Sequence, residues 1–125
     1  MKIKFKTENF SFEGELNNSL CAKEIIHHLP INSVVSRWGD EIYFDIGFKA
    51  SADGASMDVE KGDIAYWSQE KSICIFFGPT PLSNTEKPVP ASPVVVIGKV
   101  FASPSDLRKI HLGERIKLYI DNASS

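Results

Sequence analysis

The sequence predicts a mainly β protein: one compact, closed β-barrel of about eight strands with two capping α-helices. Three observations lead there. Several segments alternate apolar and polar residues with period two, as Ile3 and Phe5 do with Lys2, Lys4 and Lys6. Two runs, Ser72 to Phe77 and Val94 to Phe101, are dense in β-branched and aromatic residues. Only two segments carry helical signals. Closing the sheet on itself hides the unpaired edges that so many strands would otherwise expose.

The N-terminus reads as a hairpin. Phe10, Phe12 and Leu16 alternate with Ser11, Glu13 and Glu15, and Thr7-Glu8-Asn9 is the turn before them. Asn17-Asn18-Ser19 leads into a helix over Leu20 to Leu29. Ser19 is its cap, Ala22, Ile25, Ile26 and Leu29 form its buried stripe, and Pro30 stops it. His27 and His28 are adjacent and diverge on a helix, so they make a poor metal pair and suit the helix C-terminus instead. Ile31 to Arg37 reads as a connector with at most one helical turn.

Trp38-Gly39-Asp40 introduces a strand over Glu41 to Ile46, with Ile42, Phe44 and Ile46 on one face and Glu41, Tyr43 and Asp45 on the other. Gly47 to Met57 has no period and is a loop, turning sharply at Asp53-Gly54. Lys61-Gly62-Asp63 precedes a strand over Ile64 to Trp67, and Ser68 to Lys71 turns the chain back into Ser72 to Phe77. Gly78 to Pro93 is too proline-rich for regular structure. Ser103 caps a second helix, with Pro104 at its first position, Asp106 at its third and Gly113 at its end. Arg115 to Ile120 is the last strand.

Composition excludes more than it selects. The chain has 125 residues, 42% hydrophobic and 24% charged, with a formal net charge of −2. That suits a single domain, residues 1–125, with its own core. Weak net acidity argues against nucleic-acid binding, and no run reaches the ~18–20 apolar residues of a membrane span. With charges in its first residues and no signal-peptide pattern, the chain is expected to be cytoplasmic. Cys21 and Cys74 are expected as small buried hydrophobes rather than a disulfide. No spacing points to a metal or a cofactor, and none is expected. Oligomeric state is not readable.

The chemistry-bearing residues are few. Thr80 and Ser83 have no His/Asp companions of the kind a nucleophile needs. Arg37 and Glu41 flank Trp38-Gly39-Asp40 and read as a surface ion pair. Asp40 and Asp63 read as turn residues. Trp38, Tyr66, Trp67, Phe76 and Phe77 are the aromatic candidates, each also explicable as packing. Strand parity puts Ile73, Ile75 and Phe77 into the barrel and turns Phe76 and Cys74 outward. No catalytic residue is assigned. The expected ligand-binding set is Phe76, Tyr66, Pro79, Thr80, Pro81 and Arg37, an aromatic and proline-rimmed face for a peptide segment or small molecule.

Four blocks carry a family resemblance: Trp38 to Phe44, Gly62 to Trp67, Cys74 to Ser83, and Pro90 to Val100. In this order and spacing they resemble a small prokaryotic cyclophilin-like family of uncharacterised function, over nearly the whole chain. The resemblance implies a β-barrel with a helix at each end and a distant relation to peptidyl-prolyl cis-trans isomerases. By that resemblance Gly62 to Tyr66 enters a core strand beside the active face, and one of Phe76 and Phe77 lines a proline pocket. The departures are specific. Glu41 to Ile46 lacks the isomerase arginine, Arg37 lies too early to replace it, and Gly78 to Pro93 lacks the expected Trp and His. The expected function is therefore binding without efficient prolyl isomerisation, with weak isomerase activity as the alternative.

Overall fold

The computed structural model describes residues 1–122. Nine strands form one sheet: β1 (Lys2–Lys6), β2 (Ser11–Leu16), β3 (Ile31–Val34), β4 (Ser36–Arg37), β5 (Glu41–Asp45), β6 (Asp63–Trp67), β7 (Ser72–Phe76), β8 (Val95–Val100) and β9 (Arg115–Ile120). Two helices, α1 (Leu20–Ile26) and α2 (Pro104–Leu107), interrupt them. The order across the sheet is β3-β9-β1-β2-β8-β6-β7-β5-β4, and the pairings are antiparallel.

Closure comes from one short stretch. The strands at the two ends of that order, β3 and β4, are consecutive in the chain and separated only by Val35. Residues 31–34 pair with β9 and residues 36–37 pair with β5. At the junction Val35 N–H donates to the Glu114 carbonyl, and Gly113 N–H donates back to the Val35 carbonyl, each at 2.8 Å. Val35 itself is buried in the interior. The expected connector at 31–37 is thus a split strand that almost closes the barrel. Its regularity depends on β9, far away in sequence, and on β5 across the next turn, which its own pattern does not reveal.

The interior follows the period-two faces. Ile3, Phe5, Phe12, Ile42, Phe44, Ile64, Ile73, Ile75, Phe77 and Leu118 belong to one buried cluster. Phe5 stacks on Phe12 at 4.7 Å and meets Phe44 edge-on at 6.4 Å. Helix α1 adds Cys21, Ala22 and Ile25, and α2 adds Leu107. Both caps are the expected ones: Ser19 accepts from Ala22 N–H, and Ser103 from Asp106 N–H. Helix α1 ends at Ile26, short of Leu29, and His28 leaves it to stack on Phe48 at 3.7 Å. Both cysteines are free and buried. No helix of the described residues is long and apolar enough to cross a membrane.

A second buried cluster lies on the opposite face of β6 and β7. It comprises Val59, Ala65, Cys74, Phe76 and Val94, with Tyr43, Trp67 and Val96 packed against it. Every residue of β7 is buried, so this strand has core on both sides.

Close strand approach fixes two glycines in the sheet. A Cβ on Gly98 would collide with the Glu15 carbonyl oxygen of β2, and one on Gly14 would sit 2.9 Å from the Lys99 carbonyl oxygen of β8. We expect Gly98→Ala to lower the urea unfolding midpoint, with a loss of at least ~1–3 kcal/mol from overpacking. An unchanged midpoint would mean that β2 and β8 separate without cost.

Candidate functional site

The segment between β7 and β8, residues 77–94, decides which outward side chains stay wet. Its start is tied to the turn before β5. Asp40 N–H donates to the Pro79 carbonyl (3.0 Å), and Phe77 N–H donates to the Asp40 carbonyl (2.9 Å). Trp38 N–H donates to the Glu41 carbonyl (3.0 Å), closing the turn through Gly39 at φ 61°. The contact is too close for side chains: a Cβ on Gly39 would lie 2.9 Å from Pro81 Cδ, and one on Gly78 would strike the Asp40 carboxylate.

Thr80 holds the loop together. Its hydroxyl donates to the Val89 carbonyl (2.6 Å), and its N–H donates to Ser83 Oγ (2.9 Å). At the far end Ser56 and Val94 exchange both backbone bonds at 2.9 Å. Pro88, Pro90 and Val94 are buried. The loop therefore lies over the outer face as a cover, with Val94 packed in the outer cluster.

The six residues expected to bind ligand do not converge on one cleft. Tyr66 points into the barrel, where its hydroxyl accepts the Ala50 N–H at 2.9 Å. Phe76 faces outward, as strand parity assigns, but is fully buried in the outer cluster. The exposed position expected for it is corrected by the covering loop. Pro79 is half-buried, Thr80 buried and Pro81 exposed. Arg37 donates to the Arg108, Ile110 and Gly39 carbonyls at 2.9–3.0 Å, with its guanidinium 5.5 Å above the Phe77 ring. Its expected ion pair with Glu41 is absent among the described residues; its acidic neighbour is Asp40, at 3.9 Å, which Arg108 holds at 2.9 Å.

Where the cover stops, a cavity of about 220 Å³ remains, lined by Trp38, Glu41, Tyr43, Trp67 and Ala91. Tyr43 and Trp67 meet edge-on, 5.7 Å between centroids and 71° between planes, so they form two walls at a steep angle. Glu41 stands opposite Phe76 in the β5–β7 register and is only 3% exposed. No Lys, Arg or His pairs with it among the described residues. Burial pushes its carboxyl up to about 7, and the Cys74 thiol, donating to it, offsets part of that rise. The Cys74 thiol is in turn held well above its ordinary value, first by burial and then by Glu41. Trp67 Nε1 is buried and makes no hydrogen bond, a condition that ordinarily costs ~1–3 kcal/mol.

Other surface features are less enclosed. A larger groove of about 550 Å³, lined by Lys6, Arg115 and Lys117 among others, lies open on mostly exposed side chains. Among the described residues no three His, Cys, Asp or Glu gather as a metal site.

Comparison with known proteins agrees with the geometry. The family described as cyclophilin-like matches residues 1–119.

The chain belongs to the cyclophilin-like family.

A solved structure, the solution structure of a hypothetical protein from Archaeoglobus fulgidus, is similar to it at a TM-score of 0.79 and 36% identity. The match covers 97% of this chain and 95% of that one. Among curated proteins none matches.

The sequence offered two of the cavity's three aromatic walls, Trp38 and Trp67, and its carboxyl, Glu41, but not their meeting. The usable signal was Glu41 sharing a strand face with Tyr43 while lying across from an aromatic run.

Glu41 has a testable signature in stability. Its native pKa lies above the unfolded value, so the folded protein binds more protons between 4.5 and 7. Stability from this group therefore falls as pH rises through that window and levels off above it. Glu41→Gln removes the charge and keeps the shape. We expect the variant to match the parent below pH 4.5 and to exceed it above pH 7, by on the order of 3 kcal/mol. Denaturant titrations across the window check this; equal stability throughout would contradict a buried, unpaired Glu41.

Proposed function

We propose that this chain is a small-ligand-binding cyclophilin-like domain without efficient prolyl isomerisation, and that its site is the Trp38–Glu41–Tyr43–Trp67–Ala91 cavity. The observation that carries the reading is a concave space with three aromatic walls and one buried, unpaired carboxyl. Apolar walls with a few fixed polar groups are the usual composition of a small-molecule site. Polar groups buried without full compensation are costly in a purely structural role.

Size favours a small ligand, or a single side chain of a peptide. At ~30 Å³ per water-sized group, 220 Å³ holds about seven non-hydrogen atoms. A peptide segment would have to lie across the outside and insert one residue.

The state of Arg37 weighs against isomerisation. Twisting a prolyl peptide bond faces a barrier of ~18–20 kcal/mol, so a catalyst must bind the twisted state better than the planar one. Arg37 precedes the turn in sequence, and it already donates to three carbonyls, while Arg108 is held by Asp40. Thr80 and Ser83 are likewise committed to loop hydrogen bonds.

The chain's two tryptophans both line the cavity, so selectively excited tryptophan fluorescence reports on this site. A chemically broad small-molecule panel should yield at least one compound giving a saturable change, and Trp67→Leu should weaken its binding. A silent panel, or saturable binding unaffected by Trp67→Leu, would count against the cavity as the site.

A further inference from the structure

We propose that the cavity takes a small organic cation, an alkylammonium head, with Glu41 as its counter-charge. This rests on the binding-domain reading above and names the ligand class.

Three features point the same way. The first is ring arrangement. Trp38 comes from the turn before β5, Tyr43 from β5 and Trp67 from the end of β6, so the walls belong to three separate positions in the fold. Tyr43 and Trp67 stand at 71° to each other, which lets a cation inside meet more than one ring. An aromatic face is electron-rich and attracts a cation, and the attraction grows when water is excluded.

The second is the missing counter-charge. Charged groups around Glu41 are already committed: Arg37 of β4 to three carbonyls, Asp40 of the turn to Arg108, and Asp63 of β6 to Lys99 at 2.6 Å. Besides Tyr43 on its own strand, the titratable group facing Glu41 is the Cys74 thiol of β7, which brings no positive charge. A bound cation would supply what the fold omits, and would hold Glu41 ionised near neutral pH. An anionic ligand would meet Glu41 as a like charge. A neutral apolar one would leave the carboxyl unpaired.

The third is capacity. Room for about seven non-hydrogen atoms, at ~30 Å³ each, fits a trimethylammonium group with a short tail. It excludes nucleotides and extended peptides from the interior of the cavity.

The test compares choline with dimethylbutanol, its uncharged isostere of the same shape, by calorimetry on the full chain, with tryptophan indole NMR signals locating the binding. We expect choline to bind at least tenfold more tightly than the isostere above pH 7. Proton competition at Glu41 should shrink that preference as pH falls toward 4.5. Glu41→Gln should remove most of the preference. Trp38→Leu, on a different element, should weaken choline while leaving the unfolding midpoint close to that of the parent. Equal binding of the two compounds, or full choline affinity in Glu41→Gln, overturns the cation proposal while leaving a binding cavity in place. No binding of either compound also overturns it. The binding-domain reading then stands or falls on the broader fluorescence panel.

Discussion

The outer face of β6 and β7 is buried a second time, and most of what distinguishes this barrel follows from that constraint. Ala65, Cys74 and Phe76 would otherwise present an apolar patch to water. The loop after β7 covers them, and it is held down by the two-way backbone exchange between Asp40 and the Phe77–Pro79 stretch. The exchange requires glycine at both sides of the contact, Gly39 and Gly78. Backbone hydrogen bonds in such a place cost little to make and a good deal to break, because water cannot replace them in a covered interface. The loop is therefore part of the core's outer layer.

Covering the face changes the electrostatics of β5. Arg37 and Glu41 stand four residues apart in sequence, on either side of the same turn, yet meet opposite fates. Arg37 reaches three carbonyls and an aromatic face, which together satisfy a planar, multi-donor cation. Glu41 is carried under the cover by the alternation of β5 and finds a thiol as its polar neighbour. A lone buried carboxyl destabilises the fold at neutral pH, and the cation proposed for the cavity it lines would return that stability.

The barrel was legible in the chain because its strands alternate. Ile3 and Phe5, Ile42 and Phe44, and Ile73, Ile75 and Phe77 all point inward as their spacing assigns. The start of the second helix was legible from Ser103, Pro104 and Asp106, since capping is local chemistry, but the helix stops at Leu107, short of the expected end at Gly113. Residues 31–37 were not. Their strand character exists only through β9 and β5, each far away in sequence or across a turn. The site was half legible. Parity correctly separated Phe76 from Phe77, but nothing local says whether an outward residue is wet. That depends on where Gly78 to Pro93 lies, and the prolines that mark the segment as irregular do not say what it rests on. Without that knowledge Glu41 reads as a surface charge and Phe76 as a ligand contact. With it, Phe76 becomes packing in the outer cluster and Glu41 becomes the unusual group.

The central claim is that Glu41 is a buried carboxyl without a cationic partner at an aromatic cavity, and its own titration tests that most directly. Following the Glu41 side-chain carboxyl carbon by NMR as pH is varied in the ligand-free protein should show a single transition near 7. A transition at the ordinary glutamate position near 4.5 would contradict it, because a carboxyl that ionises like one in water is neither buried nor waiting for a counter-charge.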